Sequence, residues 1–403
     1  MKTRNFFRNN AKMIAAGDEF WAEADKHGLA GIVGRLENGR IHTSEGHSFV
    51  NFSCCSYLDL DQHPKILEGA ISAIRRFGTL NHCITRARVQ IPAMGELEDA
   101  LSYLLQAQVV TAISANVASS GVLPLIASGH LSGGKRPLMV FDKNCHVSLM
   151  HQKPICADET EVETCAYHDL DLLEDRCKTN ESVCYICDGA DSLGGYAPVA
   201  ELSYLQQKYG LHVYYDDSHS LSAFGPRGVG YVRSNISELD ERTMIVVSLH
   251  KAFGTSGGAL MMGKRKPEEL KTIFRYAGAI GYSQPMNTAA IGASLASVEI
   301  HATPELTVLQ DQLMSNIRLF DELVPTEQSG FSFPIRFVRV PEADVIRLSV
   351  ELFKSGYYVS PIFFPVVAKG KAGLRVMMRA GQTHEQISEL ARMINEITLR
   401  SAA

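Results

Sequence analysis

Apolar and polar positions change rhythm several times along the chain. From Met94 the apolar residues Met94, Leu97, Leu101, Leu104 and Leu105 recur every three or four positions, the spacing of one helix face. Short apolar runs then take over, at "PLMVF" (137–141), "VCYIC" (183–187), "HVYY" (212–215) and "MIVVSL" (244–249). Each is too short for a helix and rich in strand formers. Between them "LDLLEDRC" and "AELSYLQQKYG" have helical spacing, with Leu202, Leu205 and Tyr209 on one face and Gly210 placed as a stop. Alternation of strand and helix predicts an α/β domain with a mainly parallel sheet covered on both faces.

Beyond Gly330 the pattern changes to "FSFPIRFVRV", a helix-like "ADVIRLSVELFKSG", and strands "YYVSP" and "LRVMMR". A last helix opens at Thr383 with Gln386 three residues on, a capping-box spacing, and turns Ile387, Leu390, Ile394 and Ile397 inward. This predicts a smaller α+β unit. Residues 287–314 form a helical connector that should break or kink near Pro304. The expected division is an N-terminal segment at 1–60, a large domain at 61–300 and a small domain at 301–403.

Composition narrows the picture. Apolar residues at 45% and charged residues at 21% of 403 suit a globular protein and speak against disorder or coiled coil. A net charge of −5 leaves no footprint for nucleic acid or an anionic membrane, and no apolar run reaches spanning length. The basic start "MKTRNFFRNN" has no apolar core, so no signal peptide is expected. Nine scattered cysteines point to reduced thiols and the cytoplasm. Cys184 and Cys187 form a CxxC inside a strand run with no second pair, so no metal site is expected.

In a parallel sheet, ligands bind beyond the carboxyl ends of the strands. The residues there are polar: Asp142 and His146, then Asp188, then Asp216 and His219, then Ser248 and Lys251. A lysine near apolar strand ends loses hydration, its charged form is disfavoured, and the amine becomes a better nucleophile toward carbonyls. That favours Schiff-base chemistry with pyridoxal phosphate as the aldehyde. Asp216 is then the acid for the ring nitrogen, while "SANVASSG" (114–121) and Ser248 offer N–H groups and hydroxyls for the phosphate.

"YYDDSHSLSAFGPRGVGY" resembles the DEAHSxGxxGxxGrG stretch of the α-oxoamine synthase family, and "SLHKAFGTSGGAL" resembles its TxSKAxGxxGG lysine motif. "NFSCCSYLDLDQHP" and "LRVMMRAGQTHEQI" extend the resemblance over most of the chain. It implies a pyridoxal-phosphate enzyme of fold type I, with a seven-stranded-type sheet, joining an amino acid to an acyl thioester with loss of carbon dioxide in a homodimer. By resemblance Lys251 carries the cofactor, Asp216 pairs with its ring nitrogen, His219 bonds the ring oxygen and His146 stacks on the ring. Ser248, Ser114, Ala115 and Asn116 fall at phosphate positions, and Ser283 at one that reaches a neighbouring subunit's phosphate. Asp188 and Ser192 fall near substrate, Arg375 where the amino-acid carboxylate is bound, and Arg86 beside the acyl site. The chain departs from the pattern at Cys55, where relatives have a carboxylate-holding Asn, and at "TLNHCITRAR" (79–88), which replaces a glycine-rich stretch. It also carries His250 before the lysine, either tuning Lys251 or pointing away. These departures lean toward a specialised or signalling ketone, as in the autoinducer synthase branch. An aminotransferase would need the same Lys251 and Asp216.

Overall fold

The four predicted strand runs are strands, and three further segments join them in one sheet. The computed structural model describes residues 10–81, 85–364 and 366–402. Among these, the large sheet contains β1 (Gln108–Ala112), β2 (Leu138–Asp142), β3 (Val162–Cys165), β4 (Val183–Asp188), β5 (His212–Asp216), β6 (Thr243–Ser248) and β7 (Gly258–Met262), in the order β1-β7-β6-β5-β4-β2-β3. The pairs from β3 to β6 are parallel. β7 is antiparallel to both β6 and β1, so the mainly parallel sheet carries one reversed strand.

Alternate residues of these strands feed two cores. Val140, Tyr185, Val213, Tyr215, Ile245 and Val247 belong to one cluster, and Phe141, Ile186, Tyr214, Val246 and Leu260 to the other. Both faces are therefore buried, which is why the strand sequences are continuous apolar runs rather than alternating ones. The same period of two separates Cys184 from Cys187: they fall in opposite clusters, so this CxxC does not converge on a metal.

The predicted helices form at Pro92–Leu105, Leu170–Thr179 and Val199–Tyr209. Gly210 ends the last of these with φ 76°, a left-handed cap. Pro304 breaks the connector: one helix ends at His301 and the next runs Pro304–Leu323. No described helix is long and apolar enough to cross a membrane.

Among the described residues the chain divides into two units, one running from Asp59 to Val308 and the other combining residues 10–58 with Leu309 onward. In the second unit, Gly34–Glu37, Arg40–Thr43 and Ser48–Asn51 form an antiparallel ribbon, turning at Asn38 and Gly39 with φ 50° and 74°. Tyr357–Tyr358 adds in parallel to Ser48–Asn51. A three-stranded sheet pairs Gly373–Met377 with Ile335–Arg339 and Ser360–Ile362. The final helix opens with the expected capping box: Thr383 N–H donates to Gln386 Oε1 at 3.1 Å, and Gln386 N–H to Thr383 Oγ1 at 3.2 Å.

Candidate active site

The carboxyl ends of β4, β5 and β6 lie side by side. Asp188 and Asp216 are direct partners in the ladder, and Asp216 is registered with Val246, two residues before Ser248. Both carboxylates are buried. Asp188 takes the His146 backbone N–H on its two oxygens at 3.0 and 3.1 Å. Burial and the neighbouring Asp216 charge raise its pKa well above the usual carboxylate range, opposed by the His146 N–H and the Lys251 cation. Asp216 Oδ1 accepts from Ser218 N–H at 3.1 Å. Two acids this close, out of water, create a demand for a cation.

Half-buried Lys251 follows β6 in a loop folded tightly on itself. Leu249 N–H donates to Gly257 O at 3.0 Å, Thr255 N–H to Leu249 O at 2.8 Å and Gly254 N–H to Lys251 O at 3.0 Å. Gly254 has φ 77°, and a Cβ there would lie 2.5 Å from the Leu60 carbonyl carbon. The soft backbone behind the lysine is thus required by a left-handed turn and close packing.

At the start of β7, Gly258 pairs with Ser248 on one side and Ala112 on the other. A Cβ on Gly258 would come within 2.3 Å of Ala115 N, so the missing side chain lets the start of helix Ala115–Ala127 rest on the strand end beside Ser248. Ser114 caps that helix, accepting from Val117 N–H at 3.2 Å. The first N–H groups, on Ala115 and Asn116, have no acceptor within a helix and form a natural seat for a phosphate.

Ser248 Oγ lies 2.5 Å from His250 Nδ1. Desolvation, and then the Lys251 cation, lower the pKa of His250. His219 is buried beside Asp216 in sequence, whereas His146 is exposed, caps the turn Val147–Met150 and contacts Ser148 Oγ through Nδ1 at 2.8 Å. Asp142 is fully engaged in structure, accepting from Asn144 N–H at 2.7 Å, His168 N–H at 2.8 Å and Tyr185 OH at 2.6 Å.

The remaining predicted residues have surroundings of their own. Ser192 is half-buried in the turn after β4. The Ser283 hydroxyl donates to Ala279 O in its own chain. Arg86 is 3% exposed, and its two terminal nitrogens are engaged, one by Glu98 at 2.5 and 2.6 Å and the other by the Thr111 carbonyl at 2.8 Å. His82, Cys83 and Ile84, within the bulky stretch that replaces the glycine-rich one, lie outside the described residues. Cys55 and Arg375 belong to the second unit: the Cys55 thiol faces Met377 Sδ at 3.7 Å, and Arg375 sits mid-strand between Phe337 and Ser360. The motifs did not reveal Gly258 as a spacer or the Ser248–His250 contact, although the paired glycines of "TSGGAL" signal a close backbone approach.

Residues 49–394 match the family described as aminotransferase class I and II. The chain belongs to this family. Among relatives of this aminotransferase-family chain, 8-amino-7-oxononanoate synthase of Alkaliphilus metalliredigens is 27% identical over 366 residues, covering 87% of this chain and 88% of that protein. Serine palmitoyltransferase of Bacteriovorax stolpii is 24% identical over 369 residues, covering 88% and 83%. The solved serine palmitoyltransferase of Sphingomonas wittichii superposes with a TM-score of 0.82 at 17% identity, covering 97% of this chain and 99% of that one. That last likeness is one of fold, and the fold is type I of the pyridoxal-phosphate enzymes.

The side chains fit that cofactor. The adjoining buried acids suit a protonated ring nitrogen, the helix start and Ser248 around Gly258 suit a phosphate, and Lys251 suits an aldehyde.

Proposed function

We propose that this chain is a pyridoxal-phosphate-dependent acyltransferase of the α-oxoamine synthase type, condensing an amino acid with an acyl thioester. The products are an α-amino ketone, carbon dioxide and a free thiol. The observation that carries this reading is the meeting of Asp188, Asp216, Ser248 and Lys251 at three adjacent strand ends. The resemblance of the motifs to those of synthases, and the named relatives, support condensation over transamination.

When bound, the cofactor supplies an aldehyde and an electron sink. Asp216 keeps the proton on the ring nitrogen, assisted by the high proton affinity of Asp188. Lys251 Nζ carries the proton to and from the α-carbon of the amino acid. Ser114, the N–H groups of Ala115 and Asn116, and Ser248 hold the phosphate. His146 and His219 flank and orient the ring, Ser192 lies toward the substrate, and Arg375 takes the amino-acid carboxylate in a bidentate fork. Cys55 stands where relatives use an amide, and a thiol is a weaker partner, so the carboxylate depends more heavily on Arg375.

A homodimer is part of the proposal, in which the Ser283 hydroxyl would have to leave Ala279 O to reach the partner's phosphate. It is supported by an apolar stripe on helix Pro64–Phe77, where Leu67, Ile71 and Ile74 are 50%, 42% and 37% exposed at helical spacing. A cytoplasmic setting is proposed from the cysteine usage; the described cysteines form no disulfide.

The test is spectral and chemical. The purified chain should show the visible band of its lysine-bound cofactor, and Lys251→Ala should lose it. A panel of amino acids offered with acyl thioesters of several lengths should then release thiol and carbon dioxide. Consumption of amino acid without thiol release would reject condensation in favour of transamination.

A further inference from the structure

His250, the residue of the lysine segment that the motif leaves unexplained, makes the shortest described contact in that segment, 2.5 Å from Nδ1 to Ser248 Oγ. A hydroxyl has one proton to donate and two lone pairs. If Nδ1 is bare, Ser248 donates to it, and Oγ then presents only lone pairs to an approaching anion. If Nδ1 bears the proton, the ring donates to Oγ and the hydroxyl proton is released outward. The second arrangement is the more complete one, because the His250 backbone N–H already approaches the same oxygen at 3.5 Å. Both lone pairs are then directed into the segment and the proton faces the site. Beside it, Gly258 pairs with Ser248 and brings up the Ala115 N–H, so a phosphate seated on the helix start meets the Ser248 hydroxyl next.

We propose that His250 is a positioning residue for the phosphate: by donating from Nδ1 to Ser248 Oγ, it turns the Ser248 hydroxyl proton toward a phosphate oxygen. This rests on the reading that Ser248 meets the cofactor phosphate, and adds a residue acting through Ser248. Desolvation and the Lys251 cation keep the ring neutral near pH 7, so the variable is which nitrogen holds the proton rather than the ring's charge. Phosphate binding selects the Nδ1–H tautomer and leaves Nε2 bare.

The test compares pyridoxal phosphate with pyridoxal, which lacks the phosphate, on the full chain stripped of cofactor, reading affinity by visible absorbance. His250→Ala should cut the preference for the phosphorylated compound about tenfold, the scale of one hydrogen bond to a charged group, with pyridoxal affinity unchanged. His250→Asn, whose amide N–H can stand in for Nδ1–H, should restore the preference to within about threefold of the original. In the unsubstituted chain, ¹⁵N resonances of His250 should report a protonated Nδ1 once inorganic phosphate is added. An unchanged preference in His250→Ala, equal losses in the Ala and Asn variants, or a bare Nδ1 with phosphate present would each overturn the assignment. If the unsubstituted chain binds neither compound, the cofactor reading falls and this assignment with it. Should His250→Ala fail to fold, the Asn variant and the resonance measurement still decide the matter.

Discussion

Replacing Gly258 with alanine tests whether the phosphate seat depends on one missing side chain. The added Cβ would sit 2.3 Å from Ala115 N, 2.4 Å from the Ser114 carbonyl carbon and 2.8 Å from Ala115 Cα, all backbone atoms. Ordinary contact begins near 3.4 Å, so the two segments must separate by about 1 Å. Gly258 is held on both sides, by Ala112 and Ser248, so the start of the helix is the part that moves. Overpacking of this kind costs about 1–3 kcal/mol of stability. A hydrogen bond of about 2.9 Å lengthened by a further ångström is effectively lost, and one to a charged group is worth about 1.5–3 kcal/mol. Gly258→Ala should therefore lower the urea midpoint modestly and weaken pyridoxal phosphate binding by about 10- to 100-fold, while pyridoxal binds as before. A variant that keeps full affinity for the phosphorylated cofactor would refute the reasoning.

Two further outcomes are expected. Asp217 is fully buried, takes the Val232 N–H on Oδ2 at 2.9 Å and leaves Oδ1 without a hydrogen-bond partner among the described residues, and burial pushes its pKa to about 7. Its ordinary value is 3.8, so between these limits the unfolded chain loses the proton first; stability from this group is full below about pH 4 and is lost as the pH rises to about 7, a change on the order of 4 kcal/mol. Asp217→Asn should remove this component, and melting curves of the two proteins that stay parallel from pH 4 to 8 would contradict it. Ile71→Asp, in the exposed stripe, should convert a dimer to monomer in sedimentation with little change in helical signal; an unchanged mass would place the subunit contact elsewhere.

Four of the seven strands of the large sheet were legible because a strand buried on both faces must be apolar throughout. The three that the pattern missed each hide that signal differently. "GALMM" in β7 is built from helix formers, and pairing on both edges overrides their local preference. "VETC" in β3 has one pairing partner at the sheet edge and alternates too little to register. "QVVTA" in β1 follows the helix Pro92–Leu105 after two residues, left-handed Gln106 and then Ala107, so its apolar residues merge with the helix in sequence. The gathering of Asp188, Asp216 and Lys251 at adjoining strand ends was legible in the sequence, because polar residues directly follow the apolar runs. The site was illegible where a role depends on a neighbour distant in sequence: Arg86 has the residue type of an anion binder, yet its partner Glu98 became apparent only from the fold.

The reversed strand also sets a schedule. Among the described residues β1 has a single ladder partner, β7, and the proposed phosphate seat follows the end of β1. Ser114 and Ala115 leave the ribosome early, but the strand that fastens them arrives only with Gly258–Met262, after every other strand of the sheet. A nascent chain can pair β2 with β3 and β4, and β4 with β5, before the proposed cofactor site is complete. The proposed cofactor site is therefore expected to form late in synthesis, and a chain stalled before residue 258 would carry six of the seven strands without the ladder partner of β1.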